Sequence, residues 1–114
     1  MHELALTQEM LDIAINHAKA HGAGKILSIK VKYGTMTMME PECFKFYFIE
    51  FSKGTIAEGA LLEFEKVVTK IECESCHKIS ELQDFILICP ECAGVDVRII
   101  SGEDIFLEDI EVDL

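Results

Sequence analysis

The sequence predicts an α+β fold: two helices on one face of a small mixed three-stranded sheet, with an inserted four-cysteine zinc-ribbon lobe. Three observations carry that prediction. Helical periodicity governs residues 4–21 and 41–52, alternation governs stretches near 26–33, 61–68 and 104–113, and two Cys-x-x-Cys pairs fall between the second and third of these stretches. With 114 residues, half of them hydrophobic, the chain can fill one modest core and cannot support two independent globular domains. The expected division is residues 1–68 plus 101–114 as one α/β domain and 69–100 as the metal-binding lobe.

In the first helix, Gln8, Glu9, Asp12, Asn16 and Lys19 share one polar arc. Leu6, Met10, Leu11, Ile13, Ile15 and Ala18 fill the wide remainder, so burial over much of the circumference is expected. His17 falls on the apolar side near Leu6, Met10 and Ile13 and reads as a packed or boundary histidine. Gly22 and Gly24 end the helix, with His21 in its last turn, where a cation favours the dipole. From Ile26 to Tyr33, Leu27, Ile29, Val31 and Tyr33 alternate with Ser28, Lys30 and Lys32, as in a strand covered on one side.

Pro41 suits the first turn of a second helix and Glu42 its positive end, and Gly54 marks its C′ residue after Ser52. Phe44, Tyr47, Phe48 and Phe51 form one stripe for the core. Phe46 and Ile49 point the other way, leaving a second apolar face that either a monomer or a homodimer would accommodate. Cys43 reads as a small buried hydrophobe on this helix. In the second strand Leu62, Phe64 and Val68 face one way and Glu63 and Glu65 the other. Val95–Ile100 and Ile105–Val112 follow around Ser101-Gly102, and the slip in apolar phase between Leu107 and Ile110 predicts a β-bulge near Glu108-Asp109.

The formal charge is −11, and six of the last twelve residues are acidic with no base among them. Such a chain repels phosphate backbones, which disfavours nucleic-acid binding and leaves basic partners open. No apolar run approaches the ~18 residues of a membrane span, and Met1-His2-Glu3-Leu4 lacks the basic start of a signal peptide, so a cytoplasmic location without membrane contact is expected. No nucleophile or acid–base constellation converges in the sequence, so an enzyme is not expected.

Cys73-Glu-Ser-Cys76 and Cys89-Pro-Glu-Cys92 are separated by twelve residues. Two residues between cysteines let a tight turn aim both sulfurs at one point, and two such knuckles supply the four thiolates of a tetrahedral Zn2+ site. Iron in a rubredoxin-like ribbon and free or redox-active thiols are the alternatives. Four protein ligands leave no open position for substrate, so the site is expected to be structural. His77 and Ala93 occupy positions where many knuckles carry glycine; His77 reads as an exposed bystander, with ligand exchange against a cysteine as the competing reading.

At the other end of the chain, the α-amine of Met1, the amide nitrogen of His2 and its imidazole can close five- and six-membered rings around one ion. Glu3 can add a fourth donor from its amide or carboxylate. That set suits square-planar Ni(II) or Cu(II). Binding requires loss of protons from amine and imidazole, so affinity rises through neutral pH.

Taken together, Met1-His2-Glu3-Leu4-Ala5-Leu6, the Glu40-Pro41-Glu42 turn before Phe44-Lys45-Phe46, and Gly54-Thr55-Ile56-Ala57-Glu58-Gly59-Ala60 resemble the HypA/HybF family of nickel metallochaperones. The paired Cys-x-x-Cys motifs and the run from Ser101-Gly102-Glu103-Asp104 to Ile110-Glu111-Val112 match it as well, so the resemblance spans essentially the whole chain. It implies maturation of [NiFe]-hydrogenase, and urease for some members. It implies His2 as the indispensable nickel ligand with Met1 and Glu3 contributing, and Cys73, Cys76, Cys89 and Cys92 as structural zinc ligands. The implied partners are the GTPase HypB and the hydrogenase large-subunit precursor. The competing reading is a zinc-ribbon adaptor that carries no transported metal.

Overall fold

The computed structural model describes residues 3–82 and 85–114. Its elements run α1 (Glu3–Ala20), β1 (Lys25–Gly34), a short 3-10 turn (Thr35–Thr37), α2 (Pro41–Ser52), β2 (Leu61–Val67), β3 (Lys70–Cys73), β4 (Ile79–Glu81), β5 (Val97–Ser101) and β6 (Ile105–Asp113). The strands form two three-stranded sheets, ordered β2-β1-β6 and β4-β3-β5. The chain divides into two compact units, one made of Met1–Lys32, Met39–Glu65 and Phe106–Leu114, the other of Tyr33–Met38 and Lys66–Ile105.

In the first unit, α1 stops where glycine permits a left-handed residue. Gly22 takes φ +76°, the Ala23 N–H reaches back to the Ala18 carbonyl (3.0 Å) and the Gly22 N–H to that of Lys19 (3.0 Å). These paired bonds satisfy carbonyls that the helix end leaves open. The buried stripe of α1 is narrower than its composition suggests: Thr7, Met10, Leu11, Ala14 and Ala18 are covered, whereas Ile13 is 51% exposed. Ile13 follows Met10 by three residues but lies beyond it at the margin of the stripe, more than about 90° from its centre at about 100° per residue. His17 is exposed as well.

Pro41 occupies the first turn of α2, where its missing N–H costs nothing. Phe44 and Phe48 are buried, and Phe44 meets Phe64 edge-on at 5.6 Å between ring centres. Tyr47 and Phe51 stack at 6.1 Å, while Phe46 and Ile49 stand exposed as their positions on the helix require. Cys43 is exposed, not buried, because it lies one residue before the core stripe that begins at Phe44.

On β1, Ile26, Ile29 and Val31 are buried but Leu27 is not, so alternation begins only after Ser28. In β2 it is Val67, not Val68, that turns inward; the exposed pair Glu65-Lys66 breaks the phase after Phe64. A similar exposed pair, Glu108-Asp109, interrupts β6 between Leu107 and Ile110. The polar face of the sheet carries a charge network: Lys30 lies 3.2 Å from Glu65 and 3.8 Å from Glu108, and Lys32 lies 3.4 and 3.3 Å from the same two carboxylates. Hydrogen bonds from Lys30 and then Lys32 hold the Glu65 carboxyl below its ordinary range.

The second unit has almost no apolar core. Among the described residues its buried hydrophobic side chains are Ile71, Cys73 and Cys89. β3 pairs antiparallel with both neighbours, Ile71 lying opposite Ser80 on β4 and Ile99 on β5. Glu72 and Arg98 face each other across β3 and β5 and form an ion pair. At the base of this sheet the buried Thr69 hydroxyl bonds the Thr35 hydroxyl (2.8 Å), accepts the Met36 N–H (3.1 Å) and donates to the Gly102 carbonyl (2.9 Å). β3 and β4 are absent from the sequence expectation because strands of four and three residues show no usable alternation.

Candidate metal centre

Each Cys-x-x-Cys pair is a tight turn closed by its own backbone. The Cys73 N–H donates to the Lys78 carbonyl (3.0 Å) and the His77 N–H to the Cys73 carbonyl (2.9 Å). The second turn repeats this with Cys89 N–H to Gly94 (2.9 Å) and Ala93 N–H to Cys89 (2.8 Å). Both turns need a left-handed residue one place after their second cysteine, and His77 and Ala93 each adopt φ +62° there. A Cβ on Gly94 would lie 3.2 Å from the Cys92 sulfur and 3.5 Å from that of Cys73, so glycine keeps the sulfurs unobstructed.

The turns converge. All four sulfurs lie within 4.8 Å of one another, with Cys73 to Cys92 and Cys76 to Cys89 each at 3.6 Å. A tetrahedral ion with Zn–S bonds of about 2.3 Å spaces its sulfurs about 3.8 Å apart, so the cluster has the size of a Zn2+ site. Its electrostatics point the same way. The Cys76 backbone N–H draws the Cys73 thiol down to about 6. The Gly94 N–H favours the Cys92 thiolate, but the neighbouring Cys73 and Cys89 sulfurs outweigh it and push that thiol up to about 12. A dication bound among the sulfurs offsets that repulsion and lets the thiols give up their protons. His77 is exposed and stands outside the four-sulfur cluster.

A non-glycine residue in the left-handed region carries roughly 1–2 kcal/mol of strain, part of which is offset by the extra freedom glycine has when unfolded. Ala93→Gly is therefore expected to stabilise the lobe by about 0.5–1 kcal/mol, seen as slower zinc loss to a competing chelator. Faster loss would contradict the strain assignment.

Of the candidate nickel donors, Met1 and His2 lie outside the described residues. Glu3 opens α1, half-buried, and its carbonyl accepts the Thr7 hydroxyl at 2.5 Å. No helix of the described residues is long and apolar enough to cross a membrane.

The family model described as hydrogenase/urease nickel incorporation, metallochaperone, HypA matches residues 1–112. The chain is 33% identical over 114 residues to the hydrogenase maturation factor HypA of Aquifex aeolicus, covering 100% of this chain and 99% of that one. It is 36% identical over 114 residues to HypA of Caldanaerobacter subterraneus, covering 99% of this chain and 100% of the relative. The fold matches a solution structure of the Ni metallochaperone HypA from Helicobacter pylori with TM-score 0.72 at 24% identity, over 98% of this chain and 97% of that one. With its paired cysteine knuckles and a family match reaching from its first residue to β6, the chain belongs to the HypA family of nickel-incorporation metallochaperones.

Proposed function

We propose that this protein takes up Ni(II) at Met1-His2-Glu3 and passes it to the precursor of the [NiFe]-hydrogenase large subunit in the cytoplasm. The observation that carries the reading is the family match over residues 1–112, which includes this terminal chelating sequence. The metal centre supports it by exclusion. A closed set of four cysteines has no free position for cargo, so it acts as a scaffold and exchangeable metal is held elsewhere.

In this reading residues 1–68 plus 101–114 form the nickel-handling domain and 69–100 the zinc lobe. His2 supplies the imidazole, Met1 and Glu3 the flanking donors. A terminal chelate can be released one donor at a time as thiolates of the target take over, so transfer proceeds by ligand exchange without a large barrier. HypB is the partner GTPase, and the exposed Phe46 and Ile49 offer a surface for it or for a second copy of the chain. The chain acts without catalysing a covalent step. The adaptor reading without transported metal has no observation in its favour beyond the zinc lobe.

Nickel titration tests the proposal. His2→Ala, and separately a chain extended by one residue before Met1, are expected to lose nickel affinity by more than the roughly 10–100-fold attributed to outer-shell partners of a metal site, with zinc content unchanged. In a deletion strain, His2→Ala is expected to leave hydrogenase inactive and to be rescued by added nickel. Nickel affinity equal to wild type in both altered chains would reject the terminal site.

A further inference from the structure

We propose that His17 and His21 form a third transition-metal site, a bis-imidazole pair for a borderline divalent ion such as Ni(II), Cu(II) or Zn(II), separate from the cysteine cluster and from the chain terminus. His17 lies in the last turn of α1 and His21, four residues on, in the turn that follows it, a spacing at which two imidazoles can project side by side. Both side chains are exposed, so an ion reaches them directly from solvent.

The geometry fits. Imidazole nitrogen sits about 2.0–2.1 Å from such an ion, which puts each ring centre about 3.2 Å from it and two rings in adjacent coordination positions about 4.6 Å apart. The observed separation of ring centres is 4.7 Å, with the rings tilted by 41° and not stacked. His21 is also oriented as metal-binding histidines usually are. Its Nδ1 lies 3.0 Å from the His17 carbonyl oxygen. A carbonyl only accepts, so this contact assigns the proton to Nδ1 and leaves the Nε2 lone pair for a metal.

The surroundings favour a cation. The pair closes the C-terminal turn of α1, where the helix dipole is negative. On either side lie clefts of about 320 and 330 Å³ that share His17 and Ile110, and the first also contains Glu108 and Asp109. The Glu108 carboxylate is already engaged by Lys30 and Lys32, so the negative potential at the pair comes from the end of the helix, and the remaining coordination positions are open to water. The site is independent of the terminal donors. From Glu3 to His17 is 17 − 3 = 14 residues of continuous α1, about 21 Å at about 1.5 Å per residue, too far for one ion to be shared.

Calorimetric titration of the zinc-loaded full chain with Ni(II) distinguishes the sites. The His2→Ala chain is expected still to bind one Ni(II), and adding His17→Gln and His21→Gln to it is expected to weaken that binding at least about tenfold. Failure of the terminal-site reading would appear separately, as wild type binding no more nickel than His2→Ala. No nickel uptake by His2→Ala, or equal affinity in the triple variant, would overturn the pair as a site. Should the triple variant unfold, substoichiometric Ni(II) added to the folded His2→Ala chain decides: paramagnetic broadening of the His17 and His21 ring protons supports the site, and sharp signals from both overturn it.

Discussion

Replacing Cys73 with Ala, or withdrawing the metal with a strong chelator, is expected to melt the second unit while α1 and α2 persist. The reason is the near absence of any other source of cohesion. Ile71 is the one buried hydrophobic residue among the described residues of that unit that is not itself a cysteine. The four residues of β3 and three of β4 add only a few backbone bonds, and their cross-strand partners include solvent-exposed charges such as Arg98 and Glu81. Structural zinc in small domains contributes about 10–16 kcal/mol of apparent binding free energy, far more than this unit gains from burial. In two-dimensional amide spectra, resonances of residues 70–73, 79–81 and 97–101 should collapse to random-coil positions and lose protection from hydrogen exchange. Signals from α1 should stay dispersed. A metal-free chain that kept those strand resonances in place would show that the lobe folds without its ion.

Gly102→Ala is expected to cost about 4 kcal/mol, at the severe end for a single added methyl group. Gly102 adopts φ +83°, and a Cβ there would sit 2.5 Å from the Thr69 Cα and 2.7 Å from its backbone nitrogen. Backbone atoms cannot turn aside as a flexible side chain can. The displacement would also loosen the bonds that the Gly102 carbonyl accepts from the Thr69 hydroxyl and the Met36 N–H. The comparison is Gly59→Ala: its φ of +79° is nearly the same, but nothing lies within 4 Å of the added atom. That change should cost only the left-handed strain, about 1–2 kcal/mol. Thermal or denaturant unfolding of the two variants side by side separates crowding from strain. Equal losses would mean that the approach of Gly102 to Thr69 carries no weight.

The larger elements were legible in the sequence because they obey periodic burial. Pro41 and Gly54 bracket α2 within a residue or two of its observed limits, and Gly22 takes the left-handed position just beyond α1. What the pattern could not supply is how much of each apolar face is covered. Ile13 and Leu27 have hydrophobic side chains and correct local periodicity, yet both are about half exposed, since coverage depends on what a distant segment lays against them. The small strands were hidden for a different reason. Lys70–Cys73 buries only Ile71 and Cys73, too short a run to show as a periodic signal, and its order comes largely from knuckle hydrogen bonds and neighbouring strands. The cysteine cluster was readable because spacing fixes turn geometry directly. The imidazole pair at His17 and His21 offered only a weak signal, two histidines four apart in a segment whose composition suggested burial. Its meaning depends on their exposure.

The order of strands bears on how the protein is made. Both sheets are completed by elements late in the sequence: β6 joins β1 across more than seventy residues, and β5 joins β3 after both knuckles have been synthesised. Contacts so distant form slowly, because long loops must close before they are rewarded. The knuckles themselves span only Cys73 to Cys92, so the ion can be captured while β5 and β6 are still being added. Zinc supply during translation, not afterwards, would then set how much of the chain reaches its folded form.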